Sequence, residues 1–216
     1  MTSSAPIVSP RRHPGDDALV GVASGDLPRL RRLLVEAHVA QCDTCSARLA
    51  AASWPGGRWL EAAEPATPAA DSWLRLTEHL DAAAPPRTRP AARPDEGLVP
   101  AVVWNELDDV ARSLRWRPLL DSSTRIAPLA ADRADALDLF LVRTPAGGVL
   151  PHHRHLGAES VLVLVGSYHD CWGEYHPGDY HLSAAGTSHE PRIGDEAECW
   201  ALVCVGQGLD FDATSR

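Results

Sequence analysis

The chain has 216 residues, of which 44% are hydrophobic and 23% are charged. This composition excludes wholesale disorder, a collagen-like repeat and a disulfide-dense scaffold, and the length suffices for one full domain plus a smaller one. All 20 basic residues are arginine, the 29 acidic residues outnumber them, and no basic cluster forms the footprint of a nucleic-acid-binding protein.

The chain shows no signal for a membrane or for export. It has no stretch of about 18 apolar residues, and its N-terminus lacks an apolar segment after a charged start. We therefore expect no membrane span and a cytoplasmic protein. Five cysteines, an odd number, then favour thiols that pack or bind metal over a disulfide framework.

Hydrophobic periodicity in the first third of the chain predicts a small all-α domain over residues 13–84. Residues 1–12 show no periodicity and are expected to form a flexible N-terminus. Apolar residues at three- and four-residue steps predict four helices, over about 15–24, 27–37, 45–53 and 71–84. The third helix is expected to end at Trp54-Pro55-Gly56-Gly57.

The hydrophobic pattern of the chain changes after a proline-rich stretch. Residues 85–97 contain four prolines without apolar periodicity, which indicates a linker and a domain boundary. Over residues 98–216, short apolar runs recur about every ten residues with no helical period between them, which predicts an all-β sandwich or barrel. Cys199 and Cys204 lie five residues apart in one such run and are expected on opposite faces of a strand.

A first set of metal-binding residue types lies in the helical part. His38, Cys42 and Cys45 form the pattern H-x3-C-x2-C, which on a helix places all three on one face. Zinc favours imidazole and thiolate ligands in a tetrahedron, and a fourth protein ligand usually closes a structural site. His13, at the start of the first helix, is the obvious fourth ligand for Zn²⁺. The alternative is that both cysteines are simply buried and His38 lies on the surface.

A second set lies in the β part, which holds seven of the ten histidines in one stretch. His153 and His155 share one face of a strand, Glu159 begins the next strand, and His189 follows one hairpin later. Three imidazoles and one carboxylate suit Zn²⁺ or another divalent transition metal. Glu190 is a further candidate to orient an imidazole. An exposed, partly charged strand edge is the alternative.

This second set resembles the two motifs of the cupin barrel, a double-stranded β-helix or jelly roll. Residues matching the first motif, G-x5-H-x-H-x3-E-x6-G with one residue fewer after the first glycine, are Gly148, His153, His155, Glu159 and Gly166. Residues matching the second motif, G-x5-P-x-G-x2-H with Ala184 in place of proline, are Gly178, Gly186 and His189. The proline is a turn residue and not a ligand, so its replacement leaves the metal set intact.

The helical part resembles the zinc-binding anti-sigma domain. The segment VASGDLPRLRRLLVEAHVAQCDTC carries the HxxxCxxC pattern of that family, and His13, His38, Cys42 and Cys45 fall on its zinc-ligand positions. With the linker and the cupin, the whole chain resembles the ChrR-type anti-sigma factors.

This resemblance implies a regulator and not an enzyme. Its helical domain would hold an extracytoplasmic-function sigma factor inactive in a one-to-one complex without touching DNA. The metal-bound cupin would help to release the sigma factor in response to singlet oxygen or organic peroxide. Apolar helix residues are candidates for the sigma contact, although each would equally suit an internal core: Leu30, Leu33, Leu34, Trp73, Leu76 and Leu80.

Two other functions remain open at the level of sequence. The chain would suit a metal-dependent cupin enzyme, such as a dioxygenase or isomerase, with the zinc domain as a tether. It would also suit an interaction module in which both metals are structural. The enzyme hypothesis is weakened because no acid, base or substrate clamp is identifiable beyond the expected metal ligands.

Overall fold

The computed structural model describes residues 9–81, 98–107 and 114–211. Within these ranges a helical region precedes a region of β-strands, which confirms the predicted order of an all-α domain and an all-β barrel. The predicted linker at 85–97 lies outside the described residues. In the part of the chain that is described, no helix is both long and apolar enough to cross a bilayer.

The helices of the described residues begin and end at recognisable signals. They are α1 (Asp16–Ser24), α2 (Arg29–Val39), α3 (Asp43–Ala62), α4 (Ser72–Asp81) and α5 (Ala101–Glu106). Helix α1 ends at Gly25, whose φ of 81° lies in the left-handed region that favours glycine. Cys42 caps α3, since its Sγ accepts a hydrogen bond from the Cys45 amide at 3.5 Å. The H-x3-C-x2-C pattern therefore spans the turn between α2 and α3, and the expectation of a single helix face is wrong.

Helix α3 is longer than predicted. It continues through Trp54-Pro55-Gly56-Gly57, where the sequence predicts its end. Proline removes one intrahelical hydrogen bond, and glycine loses more backbone entropy than other residues when it enters a helix, but both costs are local. Once the first three turns have formed, propagation of the helix costs less than nucleation did and carries it to Ala62.

Helix α5 lies in a segment where the short apolar run predicts a strand. Pro100 caps this helix, and Val99, Val103 and Leu107 are buried and belong to the same core as α2. Their four-residue spacing is helical, so this signal was present in the sequence. The run was too short to distinguish a strand from one helical turn and a half.

The strands of the described residues pair antiparallel throughout. In chain order they are β1 (Arg117–Pro118), β2 (Arg125–Asp132), β3 (Leu137–Thr144), β4 (His153–His155), β5 (Glu159–Val165), β6 (Tyr168–Asp170), β7 (Gly173–Tyr175), β8 (Tyr180–Ser183), β9 (Ser188–His189), β10 (Arg192–Ile193), β11 (Cys199–Gly206) and β12 (Leu209–Asp210). They form a six-stranded sheet, β1-β2-β3-β11-β5-β8, and two three-stranded sheets, β10-β6-β7 and β12-β4-β9. Residues from all three sheets line one interior cavity, as in a barrel.

Strand β11 shows how this barrel joins the helical domain. Cys199 and Ala201 pack in a cluster inside the barrel, whereas Leu202 and Cys204 pack on the opposite face in a cluster that includes the helices. The prediction that Cys199 and Cys204 face opposite sides is confirmed. Because both faces are covered, the strand is apolar along nearly its whole length.

Helix α2 lies against the outer face of the six-stranded sheet. Leu30, Leu33 and Leu34 have no exposed surface and share one hydrophobic cluster with sheet residues such as Leu139 and Leu202. The hypothesis that these three leucines contact a partner is therefore wrong, since the barrel already covers them. Periodicity identified an apolar helix face, but it carries no information about which surface covers that face.

The last residues of the predicted flexible N-terminus are bound to the barrel. The amides of Arg11 and Arg12 donate to Asp179 Oδ1 at 2.6 and 2.9 Å, and the Tyr180 amide donates to the Arg12 carbonyl at 3.0 Å. The expectation of flexibility is wrong for these two residues, because their partners are more than 160 residues away in the chain. Residues 1–8 lie outside the described residues.

Candidate metal centres

The first cluster is assembled from three pieces of chain, with His13 before α1, His38 in the last turn of α2, and Cys42 and Cys45 at the start of α3. His13 Nδ1 lies 3.4 Å from each of the other three ligand atoms, His38 Nε2, Cys42 Sγ and Cys45 Sγ. All four atoms lie within 4.8 Å of one another. Ligands at zinc distances from a common ion would be roughly 3.3 to 3.8 Å apart, so this donor set fits a tetrahedral ion.

The surroundings of this cluster affect the protonation of its ligand atoms. Burial lowers the pKa of His38, which keeps the imidazole neutral and its Nε2 free to act as a ligand. Burial and the neighbouring Cys42 raise the pKa of the Cys45 thiol, so the free thiolate is unfavourable there. A divalent ion between the two sulfurs would stabilise the thiolate form. Arg48 donates to Cys45 Sγ at 3.7 Å and pairs with Asp16 at 2.6 Å, so the thiol also faces a positive charge.

The outer nitrogen of His38 is held by the barrel. His38 Nδ1 donates to the Gly178 carbonyl at 2.7 Å, which fixes the tautomer and aims Nε2 at the cluster. Gly178 has a φ of 88°, and a Cβ there would lie 2.8 Å from Pro10, so the turn between β7 and β8 requires glycine. The next residue, Asp179, is buried and accepts amide hydrogens from both Arg11 and Arg12.

Arg12, the neighbour of His13, is anchored by its side chain as well as by its backbone. Its guanidinium donates to the Glu174 carbonyl at 3.1 Å and to the Trp172 carbonyl at 3.3 Å. It also lies over the Tyr175 ring, 4.4 Å from the centroid, where a cation is attracted to the ring face. The β6–β7 hairpin thus fixes the residue that precedes a member of the first cluster.

The second cluster lies wholly inside the barrel, where His153, His155, Glu159 and His189 are all buried. His153 Nε2 and His189 Nε2 lie 3.0 Å apart, and Glu159 Oε1 lies 3.3 Å from His155 Nε2 and 3.9 Å from His189 Nε2. Strands β4 and β9 set His153 directly opposite His189 in the ladder. The four ligand atoms lie within 4.8 Å of one another, as sequence spacing suggested.

Every histidine of the second cluster has its outer nitrogen occupied. The Nδ1 partners are the Pro151 carbonyl for His153 at 2.9 Å, Thr187 Oγ1 for His155 at 2.9 Å, and Asp170 Oδ2 for His189 at 2.8 Å. Each Nε2 therefore points inward, and His155 Nε2 is a buried nitrogen with no hydrogen-bond partner among the described residues. Three imidazoles whose Nε2 atoms converge, together with one carboxylate, fit a divalent transition metal. The unpartnered Nε2 of His155 supports this assignment, because a metal would give it a partner.

Sequence reasoning missed the carboxylate that orients His189. Glu190, the candidate from the sequence, pairs instead with Arg192 at the surface. Asp170 accepts the His189 hydrogen bond; burial opposes its charge, but hydrogen bonds from His189 and the Trp172 amide lower the pKa of Asp170 below its ordinary value. Only the pairing of β6 with β10, which returns the hairpin to the end of β9, brings Asp170 there, so no local signal would have found it.

A third feature is an apolar surface on α3 and α4, which we call the apolar helix surface. Its members are large apolar residues that are about half exposed or more: Trp54, Trp59, Leu60, Trp73, Leu74, Leu76 and Leu80. The three candidate contact residues on α4 belong to it. So many large apolar side chains exposed on two successive helices indicate an interaction surface.

Comparison with known proteins finds one consistent relationship. Residues 110–208 match the family model of the ChrR cupin-like domain. The chain is 28% identical to the anti-sigma-E factor ChrR of Cereibacter sphaeroides over 203 residues, which is 94% of this chain and 93% of that protein. It also matches a crystal structure of Rhodobacter sphaeroides SigE in complex with the anti-sigma ChrR, with a TM-score of 0.72 and 27% identity over 91% of this chain and 100% of the matched chain. The likeness thus covers both the helical domain and the barrel.

Proposed function

We infer that the chain belongs to the ChrR family of anti-sigma factors, and we propose that it binds an extracytoplasmic-function sigma factor in a one-to-one complex and holds it inactive. The observation that carries this proposal is the likeness in sequence and fold over both domains to an anti-sigma factor. Inhibition requires no catalysis, because a bound anti-sigma domain blocks the sigma surfaces that meet DNA and polymerase. A sigma factor as partner also places the chain in the cytoplasm.

The apolar helix surface is the part of the chain that we assign to the sigma factor. Trp59 is 77% exposed and Leu76 49% exposed, whereas the leucines of α2 are fully covered by the barrel. Amphipathic helices that expose an apolar face bind in grooves of a partner, with aromatic residues as anchors. The contact thus involves α3 and α4, and the predicted roles of Trp73, Leu76 and Leu80 remain part of the proposal.

The proposal assigns Zn²⁺ to His13, His38, Cys42 and Cys45. Two thiols and two imidazoles form a closed structural set with no position left for a substrate. Such an ion would supply folding free energy to the helical domain, because it would join three separate pieces of its chain. The domain assignment of residues 13–84, a linker at 85–97 and a cupin at 98–216 is part of the same proposal.

The proposal assigns Zn²⁺ or another divalent transition metal to His153, His155, Glu159 and His189, and gives the barrel a role in releasing the sigma factor in response to singlet oxygen or organic peroxide. The contacts between the clusters support this role. Asp170 binds the outer nitrogen of His189 and the Trp172 amide, and the Trp172 carbonyl binds Arg12, which precedes His13.

A disturbance at His189 therefore has a short covalent and hydrogen-bonded route to the first cluster. Trp172 also contacts the His189 ring directly, with ring centroids 5.0 Å apart. If Trp172 moves, Arg12 loses one of its two side-chain carbonyl acceptors. The proposal is that this change loosens the His13 side of the first cluster and the helices it holds together.

The test is direct binding of the full-length, Zn²⁺-loaded chain to purified extracytoplasmic-function sigma factors of its host. Size-exclusion chromatography with light scattering should give a one-to-one complex with one of them. Leu76→Ser should abolish or strongly weaken that complex, because it places a hydroxyl at the centre of the contact. Leu182→Ser is the matched control, since Leu182 is also 49% exposed but lies on the barrel. Absence of any complex, or equal binding by both variants, would refute the proposal.

A further inference from the structure

The barrel interior contains a cavity of about 260 Å³ beside the second cluster. His153, Glu159 and His189 form part of its wall, so three of the four candidate metal ligands face it. An apolar cavity of about 150 Å³ binds benzene, with its six carbon atoms, so this volume accommodates about ten non-hydrogen atoms, the number in an eight-carbon carboxylate.

Most of the remaining wall is apolar. Phe140, Val161, Ala201 and Val203 line it from the six-stranded sheet, and Phe211 lines it from the C-terminal side. An apolar cavity of this kind favours a hydrocarbon group over water. Its wall therefore combines a polar region, formed by two imidazoles and the carboxylates of Glu159 and Asp138, with a larger region that suits an aliphatic tail.

Tyr168 adds an independent polar observation. It lines the same cavity, is only 5% exposed, and its hydroxyl has no hydrogen-bond partner among the described residues. A buried hydroxyl without a partner is unfavourable, so a ligand oxygen that accepts a hydrogen bond from it would stabilise the barrel.

The charge of the wall indicates the sign of the head group. A divalent ion held by three neutral imidazoles and the Glu159 carboxylate would retain one positive charge. Asp138 also lines the cavity, but its carboxylate is partly exposed and lies 3.7 Å from the guanidinium of Arg133, which balances its charge. In a buried site the positive charge of the ion favours an anion over a neutral group. The Tyr168 hydroxyl also favours an oxygen anion, because a hydrogen bond to a charged acceptor is stronger than one to a neutral acceptor.

We propose that this cavity is a binding site for a medium-chain aliphatic carboxylate of about eight carbons, with its carboxylate toward the second cluster and Tyr168 and its tail among the apolar residues. This site is separate from the sigma-binding role and does not depend on it. One sheet divides the cavity from α2, since Ala201 and Val203 face the ligand space while Leu202 between them packs toward the helices.

The experiment is isothermal titration of the full-length, metal-loaded protein with octanoate. Butanoate tests the need for a long tail, octan-1-ol the need for an anionic head, and palmitate the limit on length. Octanoate should bind most tightly of the four. Octan-1-ol binding as tightly as octanoate would overturn the assignment of the head group, and no octanoate binding at millimolar concentration would overturn the site.

Two variants locate the binding. Ala201→Phe fills the cavity and should abolish octanoate binding. Tyr168→Phe keeps the ring and removes the hydroxyl, and should weaken octanoate about five- to tenfold while leaving octan-1-ol within about twofold. Metal content and thermal unfolding of each variant show whether the barrel is intact. If Ala201→Phe does not fold, Tyr168→Phe alone decides, and an unchanged octanoate affinity in a folded Tyr168→Phe protein contradicts the proposal.

Discussion

The two candidate metal centres use similar residue types but depend on the fold in different ways. The second cluster is complete within the barrel, since its four ligands and the partners of their outer nitrogens all come from the barrel. The first cluster belongs to the helical domain, but one of its imidazoles is oriented by Gly178 and its N-terminal approach is fixed by Asp179, both from the barrel. The barrel therefore orients a residue of the helical site, whereas the three histidines of the barrel site are oriented by barrel residues alone.

The largest expected effect separates the functions of the two clusters. His38→Ala should remove Zn²⁺ from the helical domain and abolish sigma inhibition, because the three pieces of chain lose their common ion. His155→Ala should keep inhibition and blunt the response to oxidant. A promoter-reporter assay with the matching sigma factor, run with metal analysis of both variants, measures each outcome. Full inhibition by His38→Ala would contradict the claim that the helical zinc site is required to hold the sigma factor.

The next effect tests whether the two domains share one core. Leu34→Ala should lower the free energy of unfolding by about 2 to 5 kcal/mol, because a fully buried leucine is replaced by a cavity. Leu80→Ala, on the exposed face of α4, should change it by about 0.5 kcal/mol or less. Urea unfolding followed by far-ultraviolet circular dichroism, and by the fluorescence of a variant that keeps only the tryptophans outside the helices, Trp116, Trp172 and Trp200, should give one coincident transition. Two separate transitions would mean that the helical domain does not rely on the barrel.

Asp179→Asn tests the support of the first cluster more narrowly. The amide retains the size of the carboxylate but loses the charge and one acceptor for the amides at Arg11, Arg12 and His176. Zinc affinity of the helical site should fall by about 10- to 100-fold, as expected when a group that orients a ligand is lost, while metal in the barrel is retained.

Competition with a chromophoric zinc chelator measures this change in affinity. Asp132→Asn is the control, because the Asp132 carboxylate also accepts two backbone amides, but these belong to Ala134 and Asp135 in the turn after β2 and not to the N-terminal segment. Equal zinc affinity in the two variants would show that the N-terminal segment does not position His13.

The smallest effect concerns the thiols. Cys171 is exposed at the tip of the β6–β7 hairpin and should react first with iodoacetamide at pH 8. Cys199 and Cys204 should not react in the folded protein, because burial raises the pKa of each thiol to about 12. Bound Zn²⁺ should also protect Cys42 and Cys45. Peptide mapping by mass spectrometry gives the order, and early alkylation of Cys42 would contradict a zinc thiolate there.

Much of the candidate chemistry was visible in the sequence because it is local. The spacing H-x3-C-x2-C and the alternation in His153 and His155 carry the ligand sets, and only His13 and His189 had to be added across longer distances. The residues that sequence reasoning missed act at long range: Asp170 is 19 residues from His189, and Asp179 is 167 residues from Arg12. Such contacts leave no periodic or motif signal near either partner.

The order of a helical and a β-rich part, the residue types at both clusters and the apolar faces of the helices were predictable from sequence, because each depends on spacings of a few residues. The short helix α5 and the full length of α3 were not. Which apolar helix face is covered depends on the tertiary structure, which buries the leucines of α2 and leaves Leu76 and Leu80 of α4 exposed. It also decided that the barrel orients His38. The physical reason is that hydrophobic burial is non-directional, so an amphipathic pattern requires a cover but does not specify which surface provides it.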